Sequence, residues 1–278
     1  MLQGLISAPL RRVFGLGAAA TLLSLGATAA GASAGNAMCQ GEDGEATEPE
    51  HLEMWLKRWT TQYKTEKPGF HMEAVNPNLI KYREQFITGE GPRNFFVPLC
   101  GKTLDLLWLA QFGFVGGVEI SQDAIDQFAE ANGLSWDKEA IEKSNKALFR
   151  ATAPGSGNQL AIGKMDFFNL PDGWSDLGES QKHKFNFVWD RASLVAINPP
   201  MRQDYVKTIV EQCTPDAKVL LCTFDYAPGV REGPPHAVSE ATVRELFEPF
   251  FVVDLLDRHT TPMPETEELV FLMKRKSE

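Results

Sequence analysis

The stretch that most constrains the fold is Asn94 to Ser121, NFFVPLCGKTLDLLWLAQFGFVGGVEIS. It reads as strand, tight turn, helix, strand. Phe95, Phe96 and Val97 form a short apolar run suited to a buried parallel strand. Pro98 has no N–H to give and stops the ladder. Leu99, Cys100, Gly101 and Lys102 make the turn, and Thr103 is placed to cap the helix that follows. Asp105 falls in the first helical turn, where a carboxylate suits the helix dipole. Leu104, Leu107, Trp108 and Phe112 recur at helical spacing, and Gly113 closes the helix. Val115 to Ile120 is a second strand that carries an acid, Glu119, near its C-terminal end. The unit is half of a nucleotide-binding βαβ, with an acid roughly 20 residues past the turn for ribose hydroxyls. The plainer alternative is an ordinary βαβ unit with a surface Glu after its second strand.

Two common phosphate-binding readings are excluded at the turn. A dinucleotide fingerprint needs G-x-G-x-x-G, and only Gly101 is present. A P-loop needs a glycine where Phe96 stands, so Gly101-Lys102-Thr103 matches that motif by accident. A ligand with a ribose but no pyrophosphate needs no such glycine array. S-adenosyl-L-methionine is a ligand of that kind.

The chain of 278 residues allows one large α/β domain plus extensions. Residues 1–40 hold Arg11 and Arg12 and no acids, leaving 25 bases against 37 acids in the remainder. A body of that charge does not draw nucleic acid or an anionic membrane. The cysteines Cys39, Cys100, Cys213 and Cys222 form no C-x-x-C pair, and the five histidines are scattered, so neither a disulfide framework nor a metal site is expected. Arg11-Arg12, the uncharged run Val13 to Ala34 and the terminal Ala32-Ser33-Ala34 read as a cleavable, twin-arginine-like or organelle-targeting leader over residues 1–40. A membrane anchor and a misplaced start codon are the alternatives. Residues 41–50 read as an acidic, disordered linker, and 51–278 as the catalytic domain, with 51–92 as a helical N-terminal cover.

Within the cover, Glu50 to about Tyr63 reads as an amphipathic helix with Trp55 and Trp59 on one face. Phe70-His71 follows a Pro-Gly loop, and a second helix spans Pro77 to Phe86. After Ser121, a helix runs to Glu130, and the segment from Ser135 to Ala153 carries no clear pattern. Gln159 to Ile162 reads as a third strand, after which Asp166 with the two aromatics Phe167 and Phe168 is a candidate adenine clamp or simply an aromatic core corner. Phe185 to Trp189 is a fourth strand that ends in Asp190-Arg191, a charged pair at the carboxyl edge. A helix over Pro199 to Cys213, a strand over Lys218 to Phe224, a helix capped by Ser239 and strands at Phe250–Leu256 and Leu269–Met273 complete the chain. The whole predicts a Rossmann-like, seven-stranded doubly wound α/β sheet with an antiparallel C-terminal hairpin.

Together these stretches resemble the thiopurine S-methyltransferase family. The residues that carry the resemblance are Trp55-x-x-x-Trp59, Phe70-His71, Phe96 to Lys102 with its Pro-Leu-Cys-Gly-Lys turn, Val118 to Ser121, Trp189-Asp190-Arg191, Leu194 to Pro199 and Gly233-Pro234-Pro235. It covers about residues 50 to 256 and is closest to the bacterial-type members. The resemblance implies a class I methyltransferase that moves a methyl group from S-adenosyl-L-methionine to the sulfur of a small aromatic or heterocyclic thiol by in-line displacement. By the same resemblance, Trp55, Trp59, Phe70, Leu99, Cys100, Gly101, Glu119, Ile120, Asp166, Phe167 and Arg191 are the expected cofactor positions. Phe70, His71, Arg191, Pro234, Pro235 and His236 are the expected acceptor positions, and Arg191 is the catalytic candidate, favouring a thiolate. His71 and His236 are candidate proton acceptors for a less acidic thiol, against the plainer reading of solvated loop histidines.

Three features depart from the family. His236 stands where members often have Phe, the loop between Trp59 and Phe70 is long, and Arg258 to Glu267 is short, with no secure counterpart of a family arginine near the acceptor. A monomer without metal or nucleic acid is expected. The family default is cytoplasmic, against which stands the leader. Competing readings are a methyltransferase of halide, thiocyanate or hydrosulfide, a non-catalytic cofactor-binding protein, and a nicotinamide oxidoreductase, which the missing glycines disfavour. A chain begun at Gly41 is expected to melt cooperatively and bind the cofactor; loss of either on truncation would place residues 1–40 in the domain.

Overall fold

A computed structural model describes residues 48–140, 146–175 and 184–276. The leader over 1–40 and most of the acidic linker lie outside the described residues. The first helix, α1 (Glu48–Lys57), begins inside the segment read as linker. It continues through a π-helical turn, Arg58–Gln62, into the short α2 (Tyr63–Thr65). The cover goes on with α3 (Pro77–Lys81) and α4 (Arg83–Phe86), two short helices where the sequence suggested one. Asn76 caps α3, its side chain accepting from the N–H of Asn78, with Pro77 at the first helical position.

The sheet has nine strands in the order β3-β4-β5-β2-β1-β6-β7-β9-β8. Strands β1 (Asn94–Val97), β2 (Phe114–Glu119), β5 (Gln159–Lys164), β6 (Phe185–Arg191) and β7 (Cys213–Asp225) are parallel. The hairpin β8 (Phe251–Thr260) and β9 (Glu267–Arg275) closes one edge, with β9 antiparallel to β7. These seven strands are the expected doubly wound sheet. Two further strands, β3 (Asp137–Ala140) and β4 (Ala147–Thr152), extend the other edge antiparallel to β5. They arise from the stretch after Ser135 that gave no clear pattern, because β3 reads DKEA and is an edge strand with little apolar content.

Strand alternation sorts the core into two layers. Phe95, Val97, Phe187 and Trp189 pack with α3, α4, α5 (Asp105–Leu109) and α6 (Gln122–Asn132) on one face. Phe96, Val118 and Val188 pack with α7 (Arg202–Gln212) and α8 (Glu240–Phe247) on the other. The glycine pair of β2 makes room for this. A Cβ at Gly116 would lie 2.7 Å from the Phe185 ring, and one at Gly117 would lie 2.8 Å from the Cys100 sulfur. Helix α5 is shorter than its apolar spacing suggests and ends at Leu109, four residues before Gly113. The Ser121 and Ser239 hydroxyls cap α6 and α8 as expected.

Chain order places the switch point between β1 and β6, since β2 and β5 lie to one side and β7 to the other. In such sheets a ligand crevice opens there, beyond the carboxyl ends of the strands. Asp105 braces that crevice. It is buried, and its two carboxyl oxygens accept from the Asn76 backbone N–H (2.8 Å) and the Trp189 indole N–H (2.8 Å). One side chain thereby joins the cover, α5 and β6. Asp105→Ala leaves two buried donors without an acceptor and is expected to cost about 2–4 kcal/mol of stability in denaturant unfolding. A loss below about 0.5 kcal/mol, the level of an ordinary surface change, would remove Asp105 from this role.

Candidate active site

The turn after β1 is held in an uncommon backbone conformation. Leu99 has φ +43° and Gly101 φ +52°. A non-glycine residue at positive φ is strained and is kept only where its surroundings over-determine it. Two bonds do so here. The Cys100 N–H donates to the Val118 carbonyl (2.9 Å), and the Gly101 N–H donates to Glu119 Oε2 (2.9 Å). Glu119 Oε1 accepts from the Ser121 N–H at 2.8 Å. Glu119 is 4% exposed. Burial pushes its carboxyl pKa up to about 7, although the N–H groups of Ser121, Gly101 and Ile120 pull the other way. Among the described residues no ion pair involves it, so its hydrogen-bond donors are backbone N–H groups.

Across the switch point, β6 ends in Asp190 and Arg191. The two do not form an ion pair. Asp190 falls on the Val188 face, where its carboxyl accepts from the Tyr205 hydroxyl (2.8 Å) and the Leu194 N–H (3.2 Å), and burial raises its pKa to about 6. Arg191 falls on the Trp189 face, and its Nη1 donates to the carbonyl of Phe70 in the cover. The Arg191 Nε–H is buried and has no partner among the described residues. Ala192 follows at φ +66°, a second strained position at a strand end.

The cover closes over these ends with aromatic rings. Phe70 stands edge-on to Trp55, Trp59 and Tyr63, at centroid distances of 6.0, 6.2 and 5.7 Å. Trp59 lies in the π-helical turn and is buried with Tyr63 and Ala124 of α6. A Cβ at Gly101 would stand 3.5 Å from the Trp59 ring, so the turn and the cover meet at a position with no side chain. His71 follows Phe70, and its pKa is held below the ordinary value by burial and by Lys102 and Lys67, with Glu73 opposing and Arg191 adding to the effect.

Trp55, Trp59, Phe70, His71, Leu99, Cys100, Gly101, Glu119, Ile120, Asp166, Phe167 and Arg191 all line one cleft of about 1010 Å³, its open mouth included. Phe167 needs a refinement. It is 2% exposed and stacks on Phe96 (6.3 Å) and Tyr205 (4.8 Å), so most of its ring belongs to the core. Phe168, the second aromatic of that candidate clamp, is only partly buried and also lines the cleft. Asp166 accepts from the Phe168 N–H (3.0 Å) and sets this corner. Pro234, Pro235 and His236 are not in the cleft lining. They stand behind it, because the His236 N–H donates to the Val195 carbonyl (2.7 Å) and the Tyr226 hydroxyl to the Pro235 carbonyl (2.7 Å). The two arginines of the short C-terminal segment and its neighbour are engaged elsewhere: Arg258 pairs with Glu267 (2.8 Å), and Arg231 packs on Tyr226 and donates to Thr266. His51, also missed in the sequence, contributes to the wall from α1.

These residues fit S-adenosyl-L-methionine. The Glu119 oxygens each accept one backbone N–H in a cleft wall, which leaves lone pairs for ribose hydroxyls. Aromatic faces of the cover suit a sulfonium cation. The unpartnered Arg191 Nε–H is a donor for an anionic group.

A family model described as Thiopurine S-methyltransferase (TPMT) matches residues 52–276. Similar proteins include a probable thiopurine S-methyltransferase of Danio rerio, 34% identical over 73% of this chain and 84% of its own. A thiopurine S-methyltransferase of Shewanella loihica is 35% identical over 73% of this chain and 84% of its own. Among solved structures, the magnesium protoporphyrin IX methyltransferase of Synechocystis PCC 6803 with bound SAM superposes with a TM-score of 0.53 at 12% identity, over 81% of this chain and 97% of its own. That likeness is one of fold. Replacing Glu119 with Ala is expected to weaken S-adenosyl-L-methionine binding by about 1.5–3 kcal/mol, the worth of hydrogen bonds to a charged group. Unchanged affinity in calorimetric titration would show that the acid serves only the turn.

Proposed function

Since this chain belongs to the thiopurine S-methyltransferase family, we propose that it is an S-adenosyl-L-methionine-dependent S-methyltransferase acting on small aromatic or heterocyclic thiols. Methyl transfer and its cofactor follow from the family and the fold; the acceptor is inferred. The observation that supports it is the placement of Glu119 and Arg191 at the ends of β2 and β6, in one cleft on either side of the switch point. One group anchors a ribose, and the other offers a cation beside the space left for an acceptor.

The bound cofactor supplies a methyl group on a sulfonium. What the chain does is align and exclude water. Glu119 and the strained turn at Leu99 fix the nucleoside end. Trp55, Trp59 and Phe70 cover it, and the Arg191 bond to the Phe70 carbonyl holds the cover down. Arg191 also favours the thiolate form of the acceptor through its charge and its free Nε–H. An aromatic thiol ionises near neutral pH and needs no strong base. Lys102 and Lys67 beside His71 add positive charge near the cleft. That charge suits an anionic soft nucleophile, so iodide and thiocyanate belong in the same substrate panel.

Arg191→Met separates latch from charge. Loss of the latch slows all acceptors alike, whereas loss of the charge slows weakly acidic thiols most. At fixed pH and saturating S-adenosyl-L-methionine, catalytic efficiency across thiols of graded pKa is expected to fall least for the most acidic aromatic thiols. A uniform drop would leave Arg191 as a latch alone.

A further inference from the structure

Neither histidine expected to take a proton is well placed for it. His236 is outside the cleft lining, and His71 is held less basic by burial and by the neighbouring cations Lys102 and Lys67. A third histidine is better placed. His51 of α1 is 4% exposed and forms part of the cleft wall. Its Nε2 lies 2.8 Å from the Ala196 carbonyl oxygen. A carbonyl only accepts, so Nε2 carries the hydrogen. The indole Nε1–H of Trp55 lies 3.3 Å from the same Nε2. Two donors cannot bond to each other, so that approach is a contact and the Ala196 bond fixes the tautomer. The lone pair of the neutral ring is then on Nδ1, which makes no hydrogen bond among the described residues. A buried imidazole in a cleft wall, oriented through one nitrogen and with no hydrogen bond at the other among the described residues, suits a general base.

We propose that His51 is the general base for acceptors whose thiol is not already ionised, taking the S–H proton on Nδ1; the proposal rests on the S-methyltransferase reading. Ala196 lies on the segment that follows Arg191, and the Trp55 ring links His51 to Phe70, whose carbonyl Arg191 holds. The base and the cation therefore border the same space. The acceptor sulfur gives its proton to Nδ1 and forms a bond to the methyl carbon, while the electron pair of the broken methyl–sulfonium bond stays with the departing sulfur. The positive charge ends on the imidazolium, which returns its proton to solvent. Aromatic thiols, already ionised, bypass this step. His51 thereby extends the acceptor range to alkyl thiols.

Other ionisable groups lie near His51. His71, Lys102, Asp105, Glu119, Asp166 and Arg191 share the cleft wall, Asp190 lies behind the 194–196 segment, and Glu50 and Glu53 are on α1. Glu119 also titrates near neutrality, so the profile is read at saturating cofactor, where ribose donors keep it ionised.

The test is catalytic efficiency against pH for one alkyl and one aromatic thiol, in the full chain, in His51→Gln and in His51→Ala. For the alkyl thiol the unaltered chain is expected to lose efficiency as pH falls and the imidazole is protonated. In His51→Gln the limb should no longer follow the imidazole but the alkyl thiol's own ionisation, with the aromatic-to-alkyl selectivity raised about 100-fold or more. Added imidazole should restore part of the alkyl activity to His51→Ala. A limb unchanged in position in His51→Gln, or equal slowing of both thiols, would overturn the proposal. Nitrogen-15 NMR of the unaltered chain gives a reading that needs no variant. The Nε2–H tautomer is expected, and an Nδ1–H tautomer would overturn the assignment. Absence of turnover with any thiol in the unaltered chain would instead count against the S-methyltransferase reading itself.

Discussion

The site depends on one buried carboxyl group. Glu119 sits at the end of β2 and receives the Gly101 N–H from the turn after β1 and the Ser121 N–H from the start of α6. It ties two strand ends and a helix cap into one rigid rim. The left-handed backbone at Leu99 and Gly101 is tolerable because this bond and the Cys100–Val118 bond hold it. Burial of such a group is costly, and its pKa of about 7 measures that cost. Without ligand, the chain loses stability as pH rises from about 4.5 towards 7, because the unfolded carboxyl ionises first and the folded one resists. Ribose hydroxyls that donated to the ionised form would reverse the balance.

The second constraint is the period of a strand. Asp190 and Arg191 are neighbours in sequence and leave β6 on opposite faces. The acid goes inward to Tyr205 and becomes part of the core, while the arginine goes to the cover and the cleft. Asp190 forms no ion pair with it, and Arg191 reaches the Phe70 carbonyl of the cover instead. Asp105 plays the complementary part below, holding the Asn76 backbone and the Trp189 indole in register with α5. The aromatic cover is therefore fixed at two points to the elements that bear the chemistry.

Much of this was legible in the sequence. The strand–turn–helix–strand at Asn94 to Ser121 announced the crevice, and the excluded glycine motifs narrowed the ligand to one without pyrophosphate. The Ser121 and Ser239 caps were visible because an N-cap is a local matter. What was not legible depended on contacts distant in sequence. The β3–β4 extension lacks an apolar pattern of its own, since the edge of a sheet demands little burial. The split of Asp190 from Arg191 followed from β6 alternation once the strand was known, but the destination of each side chain required Tyr205 and Phe70. His51 is separated from Ala196 by 145 residues, and no spacing rule relates them. Pro234 to His236 lie one layer behind the wall that was assigned to them, because the 194–197 segment intervenes.

The most direct test is the proton balance of cofactor binding. Calorimetric titration of S-adenosyl-L-methionine at pH 6, repeated in buffers of different ionisation enthalpy, counts protons exchanged. With a free carboxyl pKa of about 7, Glu119 is mostly protonated at that pH. Ribose donors and a nearby sulfonium both favour the carboxylate. Binding should therefore release most of one proton, and Glu119→Gln should release none. Binding heats that do not depend on the buffer would contradict the account, since the cofactor would then leave the buried acid untouched.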